Sequence, residues 1–145
     1  LDPADRRFHA EPVACPDCGP QLIYEQRGDE PLRDTEAALA RAVEAIRAGR
    51  IVAVKGVGGY HLVCDALNDA AVRRIRERKK RPHKPLAVMF PLAGKDGLAV
   101  AREFVDFDSA EAAIATSPMR PIVLVRRLAN CGLAPADISA YPNWD

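Results

Sequence analysis

At Asp34 the sequence changes character, and that change constrains most of what the chain can fold into. Before it, residues 1–33 carry five of the twelve prolines (Pro3, Pro12, Pro16, Pro20 and Pro31) and show no sustained hydrophobic period. Proline fixes φ and removes a backbone donor, so this stretch reads as an irregular segment that needs its own staple. From Asp34 onward apolar residues recur at helix and strand spacings, and helical and strand-like stretches alternate. An α/β or α+β domain over residues 34–145, with helices packed on a sheet, is the expected result.

The periodic part can be divided further. Asp34 and Thr35 are N-cap types, Leu39, Val43 and Ile46 follow at helical spacing, and Gly49 stands where a helix would stop. "IVAVK" (51–55) and "YHLVC" (60–64) read as strands joined through the glycine-rich "GVGG". Asn68 then caps a helix with Ala71, Val72 and Ile75 inward and its arginines outward, ended by Pro82. "LAVMF" (86–90) and "PIVLV" (121–125) read as further strands, and "LAVAREF" (98–104) and "SAEAAIAT" (109–116) as short helices.

Composition excludes several classes. With 145 residues, 48% of them hydrophobic, the chain can bury a core. It has no apolar run near the roughly 20 residues a membrane span requires, and its polar N-terminus is no signal peptide, so a soluble, cytoplasmic protein without membrane contacts is expected. Leu1 in place of Met suggests a piece of something longer. Without a secretion signal, the four cysteines do not read as a disulfide framework.

Three stretches carry chemistry. Cys15 and Cys18 in "CPDCGP" form a C-x-x-C knuckle, a spacing that lets two thiolates hold one tetrahedral metal. Structural zinc wants four ligands, and His9 is the one further candidate nearby, so a reduced or redox-active pair is the competing reading. Cys64 and Cys131 are assigned to packing. "KGVGGYHL" offers exposed backbone N–H groups around Gly58 and Gly59 that suit a phosphate or an acyl oxyanion, although it has no Walker spacing and also fits a plain hairpin.

The third stretch is the most distinctive. Between Ala71 and Lys84 there are eight basic residues (Arg73, Arg74, Arg76, Arg78, Lys79, Lys80, Arg81 and Lys84) and one acid, Glu77, in a chain whose total is +1. Cations at a helix C-terminus gain about 0.3–1 kcal/mol each from the helix dipole, which accounts for two or three of them. The remainder points to a polyanion, either a nucleotide triphosphate or a nucleic-acid backbone. His61 and His83 have no motif partner and read as surface or strand histidines, and Asp106, Asp108 and Glu111 read as a solvated helix start.

"DPADRRFHAEPVACPDCGPQL", followed by "GRIVAVKGVGGYHLVCDALNDAAVRRIRERKKRPHKPLAVMFP", closely resembles the HypF family of carbamoyltransferases, which mature nickel-iron hydrogenases; "RPIVLVRR" matches more loosely. The resemblance implies a zinc-knuckle segment over residues 1–33 and a YrdC-like domain, a twisted mixed sheet with packed helices, over 34–145. It implies that carbamoyl phosphate or carbamate and ATP with Mg²⁺ yield a carbamoyl-adenylate and pyrophosphate. The carbamoyl group then passes to the terminal cysteine of the partner HypE. YrdC-like domains are also described as binding double-stranded RNA, which supplies an alternative function.

Carried over by position, the K-x-R-P-x-x-K-P-L pattern of YrdC-like domains falls on Lys79, Arg81 and Lys84. Lys79 and Arg81 would act on the reacting phosphates. Lys80, Lys84, Gly58, Gly59, Tyr60 and His61 would contact nucleotide or substrate. Cys15 and Cys18 take the place of the last zinc knuckle, whose partner pair is expected upstream of Leu1. Threonylcarbamoyl-adenylate synthases have a proline-threonine pair where Lys55 and Gly56 stand, so the pocket is expected to be of the HypF type. The serine- and asparagine-containing segment expected after "PIVLV" is not found, and the tail leaves the family pattern after "LAPA".

Overall fold

A computed structural model describes residues 19–56, 58–81, 84–129 and 131–133. The metal candidates Cys15 and Cys18, with His9, Pro82, His83 and the tail beyond Leu133, lie outside the described residues.

The first helix, α1 (Thr35–Arg47), begins where the sequence places it: the Asp34 carboxylate accepts the Ala37 N–H at 2.8 Å. It ends in a Schellman motif, in which Gly49 N–H reaches Ile46 O and Arg50 N–H reaches Ala45 O, both at 2.9 Å. Gly49 holds φ +73°, which costs glycine little. The buried line of α1 is Ala38 and Ala45; Leu39 and Val43, expected inside, are 48% and 38% exposed. The small residues allow close approach, and the larger ones flank it.

The two strands after α1 form a hairpin. β1 (Val52–Gly56) pairs antiparallel with β2 (Gly59–Val63), in register from Val52 opposite Val63 to Gly56 opposite Gly59. Asn68 then caps α2 (Asp69–Lys79), its side chain accepting Ala71 N–H at 3.0 Å. Ala71, Val72 and Ile75 are buried, as expected. Arg76 is buried too, contrary to the outward placement of the arginines, because it lies four residues after Val72 on the same helix face.

Beyond α2 the α+β character holds, but strand pairing is sparser than the hydrophobic runs imply. Residues 86–90 and 121–125 lie outside the strands found among the described residues. Both runs alternate in exposure as strands do. Pro85 and Pro91 flank one run and Pro121 opens the other, each removing a donor that a ladder would need. Only the centre of 98–104 is helical, as a 3₁₀ turn at Ala101–Glu103. β3 (Val105–Asp106) and β4 (Arg126–Arg127) form a second antiparallel pair. Between them α3 (Ser109–Thr116) starts from a full capping box of Asp108 and Glu111, so those two acids do serve a helix start, whereas Asp106, grouped with them from the sequence, lies in β3 opposite Arg126.

The core gathers around Val72 of α2 and Leu133, with Cys64, Ala66, Leu86, Val88, Phe90, Phe104 and Cys131 against them. Phe90 and Phe104 stack at 5.5 Å between ring centroids. Leu86, Val88 and Phe90 therefore face the core, while Met89 between them is 95% exposed. Burial, with a smaller contribution from Asp65, pushes the Cys64 thiol up, in keeping with a packing role. Among the described residues no helix is long and apolar enough to cross a membrane.

Candidate anion site at the end of the second helix

The described candidate residues fall into two groups on separate elements. Lys79, Lys80, Arg81 and Lys84 follow one another at the C-terminal end of α2, and all four are exposed. Gly58, Gly59, Tyr60 and His61 occupy the turn and second strand of the hairpin.

Backbone geometry ends α2 two residues before Pro82. Lys80 adopts the left-handed conformation at φ 50°, its N–H reaches Glu77 O at 3.1 Å, and Arg81 N–H reaches Arg76 O at 3.1 Å. This is the same Schellman closure that ends α1, now with lysine where α1 has glycine. A side chain in that conformation costs on the order of 1 kcal/mol. The helix end thus turns the chain at Lys80.

The loop after that turn is held from below. One nitrogen of Arg76, Nη1, donates to Arg81 O at 2.9 Å and to Lys84 O at 3.0 Å. Arg76 is 6% exposed. A buried guanidinium needs such acceptors, since an uncompensated one would be severely penalised. The bonds fix the carbonyls of two residues whose side chains carry positive charge. Arg74 braces the other helix in parallel fashion, its Nη2 donating to Gly49 O.

Electrostatically this end of α2 is unusual. A helix C-terminus presents unpaired carbonyls and the negative pole of its dipole, which repel anions. Here the carbonyls of Arg76, Glu77, Arg81 and Lys84 all accept internal hydrogen bonds. Lys79, Lys80, Arg81 and Lys84 then outnumber the nearby acid Glu77. Exposed, clustered cations with several of the neighbouring carbonyls already occupied can bind phosphate oxygens.

In the hairpin, Tyr60 and His61 are neighbours on β2 and point to opposite faces, so one face of the hairpin presents only one of them. Tyr60 is 69% exposed and sits opposite Lys55, which makes Lys55 a candidate the sequence did not single out. His61 pairs with Val54, and its ring lies close to Gly56: a Cβ added there would stand 3.2 Å from the imidazole. Gly59 at φ +133° supplies backbone that other residues rarely adopt.

Arg76 is the more consequential residue that sequence reasoning missed. Its signal lies in the spacing, because four residues after Val72 is an inward position on a helix.

Comparison with known proteins places these features in a family. The model of the Sua5, YciO and YrdC family, described as telomere recombination, matches residues 44–140, and the HypF finger matches residues 1–24. The carbamoyltransferase HypF of Rhodobacter capsulatus is 49% identical over 124 residues, covering 86% of this chain and 16% of that protein. The crystal structure of T. kodakarensis HypF overlays with a TM-score of 0.74 at 38% identity. Full-length HypF in a phosphate- and nucleotide-bound form overlays at 0.69, also at 38% identity, and each comparison covers 95% of this chain and 17% of the other. The chain thus spans about a sixth of the length of these relatives. Over residues 44–140 the chain belongs to the Sua5, YciO and YrdC family, and its residues 1–24 match the HypF finger, as its similarity to part of HypF proteins also indicates.

Proposed function

We propose that the chain supplies part of an ATP site for carbamoyl-adenylate formation in a HypF-type carbamoyltransferase, with the end of α2 gripping the phosphates. The observation that carries this reading is the exposed run Lys79, Lys80, Arg81 and Lys84 at a helix end where the carbonyls of Arg76 and Glu77, and those of Arg81 and Lys84 just beyond it, accept hydrogen bonds from within the chain. The relative solved in a phosphate- and nucleotide-bound form supports phosphate ligands for the family.

The chemistry asks for such an arrangement. Once water has cleaved carbamoyl phosphate to carbamate and inorganic phosphate, a carbamate oxygen attacks the α-phosphorus of ATP. The bond from that phosphorus to the bridging oxygen breaks, and pyrophosphate leaves with the electron pair. Arg81 clamps phosphate oxygens with two parallel N–H donors, while Lys79 and Lys84 neutralise charge growing on the leaving group. Lys80 adds to the field, Mg²⁺ accompanies the nucleotide, and the Gly58–Gly59 backbone with Tyr60 or His61 contacts the carbamoyl end. Transfer of the carbamoyl group to HypE would follow.

The two-unit organisation, residues 1–33 and 34–145, is part of this proposal, in keeping with the separate matches at 1–24 and 44–140. So is a zinc ion on Cys15 and Cys18, which lie within the finger match. Colorimetric zinc release after thiol modification should fall to background in Cys15→Ser.

Calorimetric titration with ATP and Mg²⁺ at two salt concentrations tests the main reading. Saturable binding that survives added salt and is lost in Arg81→Ala is expected. Binding of duplex RNA with a steep salt slope, and no ATP signal, would replace it by a polyanion-binding module, since counterion release makes such contacts salt-sensitive.

A further inference from the structure

We propose that Arg76 is a positioning residue for the phosphate cluster: from inside the domain it sets the spacing and order of the loop that carries Arg81 and Lys84. The inference deepens the proposed function and rests on it for the identity of the ligand.

Three observations lead here. The helix does not need the Arg76 side chain to end, because the Lys80 and Arg81 N–H groups already close α2 on the carbonyls of Glu77 and Arg76. The side chain reaches past that closure instead, to carbonyls five and eight residues further along. Both carbonyls belong to residues whose exposed side chains carry the proposed phosphate contacts.

The physical effect is twofold. Two hydrogen bonds from one nitrogen fix the distance between the Arg81 and Lys84 peptide groups, which a loop of this length would otherwise sample broadly. Preorganised donors bind a multivalent anion more tightly because less freedom is lost on binding. Those bonds also occupy two carbonyl oxygens that would repel a phosphate, and they place a further cation beneath the cluster.

A lysine at position 76 keeps the charge but not the planar geometry of the guanidinium, and its side chain is shorter. The positioning account therefore predicts a graded series. In Arg76→Gln the ¹⁵N order parameter of Lys84 should fall from about 0.85, typical of rigid backbone, to below about 0.6, while that of Ile75 stays high. Affinity for ATP with Mg²⁺ should drop by about tenfold or more in the same variant, with Arg76→Lys between it and the parent chain.

Unchanged order at Lys84 together with unchanged ATP affinity in Arg76→Gln would overturn the proposal. Should Arg76→Gln fail to fold, Arg76→Lys decides: a looser Lys84 and weaker ATP binding support it, and parent-like values overturn it. If the parent chain itself binds no ATP, the ATP reading fails separately. Positioning is then judged by the order parameter alone, which supports it by falling and overturns it by staying.

Discussion

The two long helices end in the same backbone motif with different residues at its left-handed position. α1 closes on Gly49, φ +73°, and α2 on Lys80, φ 50°. Each end also receives an arginine from α2, Arg74 on the Gly49 carbonyl and Arg76 on the carbonyls of Arg81 and Lys84. At α1 the residue is the one that local energetics prefer, and nothing about that end suggests a ligand. At α2 the chain tolerates a strained lysine in the middle of a cationic run. Strain retained where a glycine would relieve it is the pattern expected when a side chain is kept for what it does.

Substitutions at the two ends sharpen this contrast. Gly49→Ala should be the most damaging, by about 2 kcal/mol, because it forces a side chain into left-handed geometry. The new Cβ would also stand 2.8 Å from the Asn68 side-chain nitrogen, on the residue that caps α2. Urea denaturation measures the loss. Asn68→Ala removes that cap for about 1 kcal/mol. In the double variant the clash disappears, so the combined loss should be less than the sum.

The smallest effect has the opposite sign. Lys80→Gly relieves the left-handed strain and should stabilise the chain by up to about 1 kcal/mol. Its ATP affinity should nonetheless fall, by less than in Arg81→Ala, because the cation kept at that strained position is the one removed. A Lys80→Gly chain that is less stable than its parent would break the comparison between the helix ends.

Some of this architecture is legible in the amino-acid sequence. Asp34, Asn68 and Asp108 act at a distance of three residues, so their capping roles can be read directly from residue order, and all three form. The hairpin between residues 52 and 63 follows from β-branched runs around glycine. Pairing of 86–90 and 121–125 is not readable in the same way, because alternation fixes which side chains face inward without fixing whether a neighbouring strand lies alongside. For 86–90 the alternation holds: Leu86, Val88 and Phe90 pack inward.

At the candidate site, the basic run can be read from composition, but its support cannot. Arginines on a helix are ordinarily assigned to solvent, and only the spacing from Val72 marks Arg76 as different. Its two acceptors lie beyond the helix end, where helical periodicity no longer says which residues meet. Likewise Leu39 and Val43 outweigh Ala38 and Ala45 in hydrophobicity, yet the alanines are the buried pair.

The central claim is that the end of α2 recognises phosphate by geometry, beyond its charge. Arg81→Lys tests it most directly, because the substitution preserves net charge and removes the two-pronged donor. ATP affinity at physiological salt should fall by about tenfold or more, since one hydrogen bond to a charged group is worth about 1.5–3 kcal/mol. Affinity equal to that of the parent chain would contradict the account and leave the end of α2 as a surface that attracts anions by charge alone.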